Sequence, residues 1–467
     1  MLFNSLEFVV FLVIVLAVYG LTLPADWWRA RKAFLIVASY LFYMSWSPPF
    51  GLLLLTSTLL DFHLAQWIER AAEQRRRRRL LAISVVVNLG ILGVFKYGNF
   101  FLGSAAALLR PVLGDATVPV LDVVLPVGIS FYTFESLSYA IDVYRGMPSY
   151  ESLLDFALFL SFFPHLVAGP IVRPRDFLPQ LATPPVVDGA RIERALARIA
   201  VGYGKKILFA DVLAGYVEAV FAHGPEAPTG LNVLLGVYAY AFQIYFDFSG
   251  YTDIALGVSQ LFGLRLPENF DRPYLAASPR EFWQRWHISL STWLRDYLYV
   301  SLGGNRVSRW RTYLNLFATM VLGGLWHGAS WTFVLWGALH GALLALHRRI
   351  SEAGPGVAPR SPLWLRRLVT FHLVCLAWIF FRAPTLAAAG SLFTRMLSPG
   401  FLWTPDSART LFLVAVALLL HRAPPAARVR EAFVRLQPDV QGVCYAGLVI
   451  LLFVVAPATT RFIYFQF

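Results

Sequence analysis

The chain has 467 residues, of which 58% are hydrophobic and only 14% are charged. A soluble protein of this length would need far more charge to cover its surface, so the composition excludes a soluble enzyme and indicates a polytopic membrane protein. The formal net charge of +13 is concentrated in short basic runs that lie between apolar segments. This pattern argues against nucleic-acid binding and marks the cytoplasmic side of a bilayer.

Apolar segments follow one another along the chain, and several approach the roughly 20 residues that a spanning helix needs. They occupy 2–23, 34–47, 51–68, 80–97, 124–144, 207–222, 231–249, 312–326, 330–347, 368–383, 407–420 and 441–460. Basic loops between them fix the direction of each crossing. The pattern predicts an all-α protein of roughly 10–12 membrane-crossing or re-entrant helices, in one integral membrane domain over 1–467. Both termini are expected on the side opposite the cytoplasm.

The segment 152–172 is not a simple span. Pro164, Gly169 and Pro170 interrupt it, and such residues break a helix, so we expect a re-entrant element. His165 lies inside this broken segment and is a candidate for lining a cavity.

Acidic residues are few at membrane depth. Glu135 and Asp142 lie seven residues apart on one predicted helix face, and Asp247 and Asp253 flank FSGYT. Such carboxylates either pair with arginines or cap broken helices, or they orient a histidine or relay protons. We favour the structural role, while proton relay is what a transporter would need.

The stretch SPREFWQRWHISLSTWLRDYLY at 278–299 begins like a helix, with Ser278 as the N-cap, a proline next and a glutamate three residues on. Trp283, His287 and Leu290 share one face at 3.6 residues per turn, and charged side chains lie opposite. The pattern predicts an amphipathic helix within a cytoplasmic-face segment of about 265–311, with His287 turned towards protein or a cavity.

A helical hairpin is predicted over about 312–347, because Arg311 and Arg348 flank it on the same side. Its apex is WHGAS at 326–330. The helix from Arg311 to His327 is about 24 Å long, less than the roughly 30 Å thickness of the hydrocarbon core, so the turn must be wrapped in protein or face a watery cavity. Glycines at 323, 324 and 328 would let the chains pack closely there. His327 is therefore expected at the bottom of a pocket.

An imidazole in such a pocket suits general-base catalysis, because its pKa near 6.5 lets the neutral ring take a hydroxyl proton as the oxygen attacks an acyl group. Other chemistries lack their residues. Cys375 and Cys444 lie in apolar runs, and the sequence contains no zinc-ligand spacing, Walker-type loop or GxSxG elbow. We expect no metal and no bound cofactor, and direct transfer from an acyl donor to a hydroxyl.

Two long motifs, FWQRWHISLSTWLRDYLYVSLGGNR at 282–306 and LWHGASWTFVLWGALHG at 325–341, resemble the membrane-bound O-acyltransferase (MBOAT) family. More narrowly they are similar to its bacterial alginate O-acetylation branch. Further similar motifs are LPVGISFYTFESLSYAIDVYRG at 125–146, FFPHLVAGPIVRP at 162–174, FDFSGYTDIALG at 246–257 and NFDRPY at 269–274. The resemblance implies a ring of helices around a thin centre, with funnels from both faces. It also implies that His327 is the catalytic residue and His287 the second signature position.

The resemblance further implies an enzyme that passes an acetyl or other acyl group across the bacterial inner membrane. The donor would be a cytoplasmic thioester, either acetyl-coenzyme A or an acylated carrier. A periplasmic SGNH-type acetyltransferase would receive the group and O-acetylate an exopolysaccharide such as alginate; cellulose, peptidoglycan or another envelope polymer is the alternative. Both chain termini would then be periplasmic. Two other classes stay open, a transporter and a scaffold of a polysaccharide-export complex.

Overall fold

The computed structural model describes residues 1–114, 120–222, 228–352, 361–424 and 426–455. Within these ranges the regular structure is helical, and β-type pairing is limited to an isolated antiparallel bridge between Phe270 and Trp286. The predicted all-α class is confirmed.

The described residues form two compact units, Met1–Asp188 with Val258–Leu266, and Gly189–Gly257 with the described part of Pro267–Phe467. The helices of the first unit are α1 Leu6–Ala17, α2 Trp28–Met44, α3 Pro48–Arg70, α4 Gln74–Leu92, α5 Gly98–Leu113, α6 Ile129–Tyr144, α7 Leu153–Ser161, α8 Phe163–Leu166 and α9 Pro174–Phe177. Those of the second are α10 Gly189–Tyr203, α11 Val212–Phe221, α13 Pro279–Arg285, α14 Ile288–Trp293, α15 Arg309–His327, α16 Trp331–Glu352, α17 Leu363–Arg382, α18 Leu386–Leu397, α19 Pro405–Arg422, α20 Ala426–Val434 and α21 Pro438–Val455. Helix α12, Leu231–Leu261, begins in the second unit and ends in the first.

Several helices are suited to a bilayer. Among the described residues, three continuous helical paths are long and apolar enough to cross a membrane by themselves: Pro48–Arg70, Gln74–Val112 and Leu363–Arg382. The second path joins α4 to α5 through a π-helical segment, Gly93–Tyr97. More than one span makes the protein polytopic, as predicted. Other predicted segments lie in helices that are shorter or less apolar, so the total number of crossings stays a prediction.

The broken segment at 152–172 is confirmed as broken. Helix α7 ends at Ser161, α8 covers a single turn, and the chain continues without regular structure to Arg173. Glu135 of α6 holds this irregular chain, because its Oε1 accepts the Val172 N–H at 2.9 Å and lies 3.1 Å from His165 Nδ1. Both ionisable side chains are fully buried. Glu135 thus combines the structural role with orientation of a histidine, while membrane re-entry stays a prediction.

In the second unit Asp247 and Asp253 have the structural role that we favoured, but their partners are lysines as well as the expected arginine. Asp253 accepts Arg198 Nε at 2.9 Å and Lys205 Nζ at 2.6 Å. The Arg198 guanidinium also donates two hydrogen bonds to the Glu268 carboxylate, at 2.8 and 2.5 Å. A separate cluster places Lys206 Nζ 2.7 Å from Asp211 and 2.7 Å from Asp247. These pairs compensate buried charges, which would otherwise be costly in a low-dielectric interior.

Removing one of these buried carboxylates should destabilise the second unit. We expect Asp253→Ala to lower the free energy of unfolding by about 3–5 kcal/mol, because it leaves buried Arg198 and partly buried Lys205 without their shared anion. The measurement is a thermal or denaturant melt in detergent micelles. The control is Asp406→Ala, whose partner Arg409 and own side chain are both largely exposed, with an expected change of about 0–1 kcal/mol. Equal losses in the two variants would contradict the prediction.

Candidate functional site

The predicted helical hairpin is present, with slightly wider bounds. Helix α15 has 19 residues and α16 has 22, and only Gly328–Ser330 separate them. His327 is the last residue of α15 and Gly328 follows it in extended conformation. The His327 side chain is buried, with 4% of the residue exposed. The sequence therefore placed this imidazole correctly at the apex of a hairpin.

Small residues let α15 and α16 touch along their backbones. A Cβ built on Gly324 would overlap the Phe333 carbonyl oxygen, and one on Gly337 would overlap the Met320 carbonyl oxygen. A Cβ on Gly328 would run into the ring of Phe333. The close packing expected from the glycines is confirmed at the apex, and it fixes the position from which His327 projects.

The continuous amphipathic helix predicted around His287 is wrong. The start is as expected, because Ser278 caps α13 by accepting the Glu281 N–H at 3.1 Å. The helix then stops at Arg285, and His287 adopts the left-handed conformation, with φ 43° and ψ 56°, before α14 begins. The prediction of burial does hold, since His287 is 0% exposed.

The physical reason for the break is a pairing with a segment more than a dozen residues upstream, which helical periodicity cannot anticipate. The Asp271 N–H donates to the Arg285 carbonyl and the Ile288 N–H donates to the Asn269 carbonyl, each at 3.0 Å. Left-handed backbone costs a non-glycine residue about 1–2 kcal/mol. Such strain concentrates at functional sites, where the surrounding structure enforces it.

The hairpin and the break bring the two candidate histidines together. The ring centroids of His287 and His327 lie 6.3 Å apart, with the planes at 60°. Trp336 and Phe381 stand edge-on to His327 at 5.1 and 5.2 Å, and Phe248 stands edge-on to His287 at 4.7 Å. The two imidazoles therefore lie close together, and aromatic side chains pack against both rings.

His287 is held by a side chain that sequence reasoning did not assign to the site. Its Nδ1 lies 3.1 Å from Asn269 Oδ1. Asn269 belongs to the NFDRPY motif, which contributed only to the resemblance. His287 lies outside the spanning helices, and burial lowers its pKa to about 3, so the ring is neutral at physiological pH.

A further buried imidazole lies beside this pair. The His340 ring is one helical turn beyond Trp336 and lies 4.9 Å from it, and it is 5.1 Å from Trp283. The His340 ring therefore packs among tryptophan rings. The described residues contain no group of three or more histidine, cysteine or acidic side chains that could hold a metal ion.

Comparison with known proteins agrees with this geometry. The family model described as "MBOAT, membrane-bound O-acyltransferase family" matches residues 120–388, a range that contains both histidines. The chain belongs to the membrane-bound O-acyltransferase family. It is an O-acyltransferase and a multi-pass membrane protein. This conclusion replaces the interpretations of the chain as a transporter or a scaffold.

Several known proteins are similar to the chain over half of its length or more. The "Probable alginate O-acetylase AlgI" of Pseudomonas aeruginosa is 44% identical over 404 residues, covering 86% of this chain and 75% of that protein. The "Peptidoglycan O-acetyltransferase" of Helicobacter pylori is 35% identical over 388 residues, covering 77% and 72%. The "Teichoic acid D-alanyltransferase" of Streptococcus thermophilus is 31% identical over 280 residues, covering 54% and 67%.

Proposed function

We propose that the protein passes an acetyl group from a cytoplasmic thioester donor across the bacterial inner membrane for O-acetylation of an exopolysaccharide such as alginate. The donor is acetyl-coenzyme A or an acylated carrier, and a periplasmic SGNH-type acetyltransferase receives the group and modifies the polymer. Both termini face the periplasm in this arrangement. The observation that carries the proposal is the proximity of His287 and His327, whose ring centroids lie 6.3 Å apart among aromatic side chains.

In the proposed step, His327 is the general base. Its neutral ring takes the proton of the acceptor hydroxyl as that oxygen attacks the thioester carbonyl carbon. A carbon–oxygen bond forms and the carbon–sulfur bond breaks. The thiolate that leaves takes the proton from the imidazolium, which restores the neutral ring. His287 positions one of the two reactants beside His327. The aromatic side chains around the two rings exclude the water that would hydrolyse the thioester.

The identity of the polymer can be tested directly in cells. Alginate and peptidoglycan are purified from cells with and without the gene, and ester-linked acetate is quantified after mild alkaline release. Loss of acetate from alginate alone supports the proposal, and loss from peptidoglycan alone supports the alternative, which the 35% identical relative favours. Unchanged acetate on both polymers would contradict both assignments.

The contribution of His287 can be separated from its backbone. Glycine adopts left-handed conformation without strain, so His287→Gly removes the ring while relieving the backbone. We expect normal accumulation in the membrane and a fall in polymer acetylation of at least about tenfold, since a positioning group beside a general base is lost. Acetylation is measured per molecule of membrane-embedded protein.

Arg272→Gly is the matched control, because Arg272 is the other described non-glycine residue with positive φ, at 45°. It should accumulate equally well and keep wild-type acetylation. If His287→Gly retained full acetylation, His287 would have no part in the reaction.

A further inference from the structure

We infer that Asn269 is a positioning residue that fixes the tautomer of His287, so that this ring meets the reactants only as a hydrogen-bond acceptor, through Nε2. The inference deepens the proposed function and rests on it for the identity of the reactants. The tautomer itself can be established without any acyl transfer.

The orientation of the Asn269 amide is determined by Ser289. A backbone N–H can only donate, and the Ser289 N–H points at Asn269 Oδ1 at 3.1 Å. The Ser289 hydroxyl reaches the same atom at 2.9 Å. The atom at this position is therefore the amide oxygen and not the amide nitrogen, which settles the choice that is otherwise ambiguous for an asparagine side chain.

The amide oxygen in turn determines where His287 carries its proton. Asn269 Oδ1 has only acceptor capacity, so the contact of 3.1 Å to His287 Nδ1 requires a hydrogen on Nδ1. In a neutral imidazole the other nitrogen then carries the lone pair. His287 Nε2 can thus accept a hydrogen bond but cannot donate one.

Asn269 is itself well anchored, as a positioning residue must be. It is 0% exposed, its carbonyl accepts the Ile288 N–H, and the adjacent Phe270 forms the bridge with Trp286. The residue before it, Glu268, is held by Arg198. These bonds connect Asn269 to both sides of the break at His287, so the amide and the left-handed backbone support each other.

The tautomer selects which reactant His287 can contact. At the reacting centre, a thioester presents a carbonyl oxygen and a sulfur, which are hydrogen-bond acceptors. A hydroxyl presents a hydrogen. Because Nε2 of neutral His287 only accepts, it cannot bind the thioester carbonyl oxygen, which must find its donors elsewhere. The hydrogen of the reacting hydroxyl goes to His327, so His287 is left to recognise a donor group of the acceptor beside that hydroxyl.

The test of the tautomer uses the full-length protein in lipid bilayers with ¹⁵N-labelled histidine. Solid-state spectra of the wild type and His287→Gly are subtracted to isolate the signals of His287. We expect a protonated Nδ1 and an unprotonated Nε2. In Asn269→Ala these signals should broaden or move to the opposite tautomer, whereas Asn269→Asp, with an acceptor of the same size, should retain the wild-type pattern.

Polymer acetylation by the same variants provides the second readout. We expect Asn269→Ala to lose about tenfold to a hundredfold of its activity, as is typical when the hydrogen-bond partner that orients an active imidazole is removed. Asn269→Asp should recover most of it. The matched control is Asn232→Ala, which removes another buried asparagine, bonded to Tyr216 and Leu402. This control should lower the amount of folded protein without changing the His287 signals or the activity per molecule.

Two results would overturn the inference: a protonated Nε2 on His287 in the wild type, or an unchanged tautomer and full activity in Asn269→Ala. The first requires only wild-type protein and His287→Gly, so it decides the question even if Asn269→Ala fails to accumulate. Failure of the proposed function gives a different result, because full acetylation by His287→Gly would leave the tautomer assignment standing.

Discussion

The variant His327→Ala should accumulate in the membrane like the wild type and lose polymer acetylation. General-base catalysis contributes about 10²–10⁴ to a rate, so the residual activity should be at least about a hundredfold below wild type. The His327 ring packs against the rings of Trp326, Trp336 and Phe381, and the residue ends α15 rather than lying within it. Its removal should therefore cost less in folding than in chemistry.

The control for His327→Ala is another histidine of the second unit. His372 is hydrogen-bonded to Tyr238 at 2.7 Å and to the Leu368 carbonyl at 2.7 Å. His372→Gln keeps a polar side chain and should keep wild-type acetylation. Acetylation is measured as alkali-labile acetate per milligram of polymer, with membrane levels matched by immunoblot. Wild-type acetylation by His327→Ala would remove the proposed general base and with it the mechanism.

The second large effect is expected from Gly324→Ala, which adds a single methyl group. The new Cβ would overlap the Phe333 carbonyl oxygen of α16. Because this obstacle is backbone, the two helices must separate, and we expect a destabilisation of more than about 3 kcal/mol, the upper range for overpacking. Separation of the helices also moves His327 at the apex. The variant should therefore show both a lower melting temperature and a lower acetylation per folded molecule.

A glycine without neighbours provides the comparison. Gly390 lies in α18 of the same unit, and a Cβ there meets no atom within 4 Å. Gly390→Ala should be neutral or stabilising by about 0.5–1 kcal/mol, since alanine is the better helix former. If Gly324→Ala melted like Gly390→Ala, the close contact of α15 and α16 would not exist in the membrane.

The parts of the fold and site that follow local rules could be predicted from the sequence. The bounds of the hairpin came from Arg311, Arg348 and the apolar run between them, and the break in 152–172 came from its prolines. That Asp253 pairs with an arginine followed from the cost of a buried charge, although the partner, Arg198, was found only in the structure. In each case the relevant information lies within one segment or in a general rule about low-dielectric surroundings.

The surroundings of His287 could not be predicted in the same way. Helical periodicity placed the ring on the correct, buried side, but it gave a continuous helix where the chain turns at φ 43°. That turn depends on hydrogen bonds with Asn269 and Asp271, which lie outside the helix and carry no periodic signal. Left-handed conformation at a histidine is rare, so local propensity predicts against it. The NFDRPY motif contains Asn269, but nothing in its residue pattern indicates that it pairs with the chain around His287.

The lysines of the second unit have a consequence for how the chain is made. Lys205 precedes its partner Asp253 by 48 residues, so during synthesis this ammonium group enters the insertion machinery well before its counter-ion has been translated. Lys206 has a nearby anion in Asp211, but its second, Asp247, also comes later. A nascent helix that carries such charges is poorly suited to partition alone into lipid. Release of this region from the translocon should therefore wait for α12, so that helices from α10 to α12 leave together as a charge-compensated group.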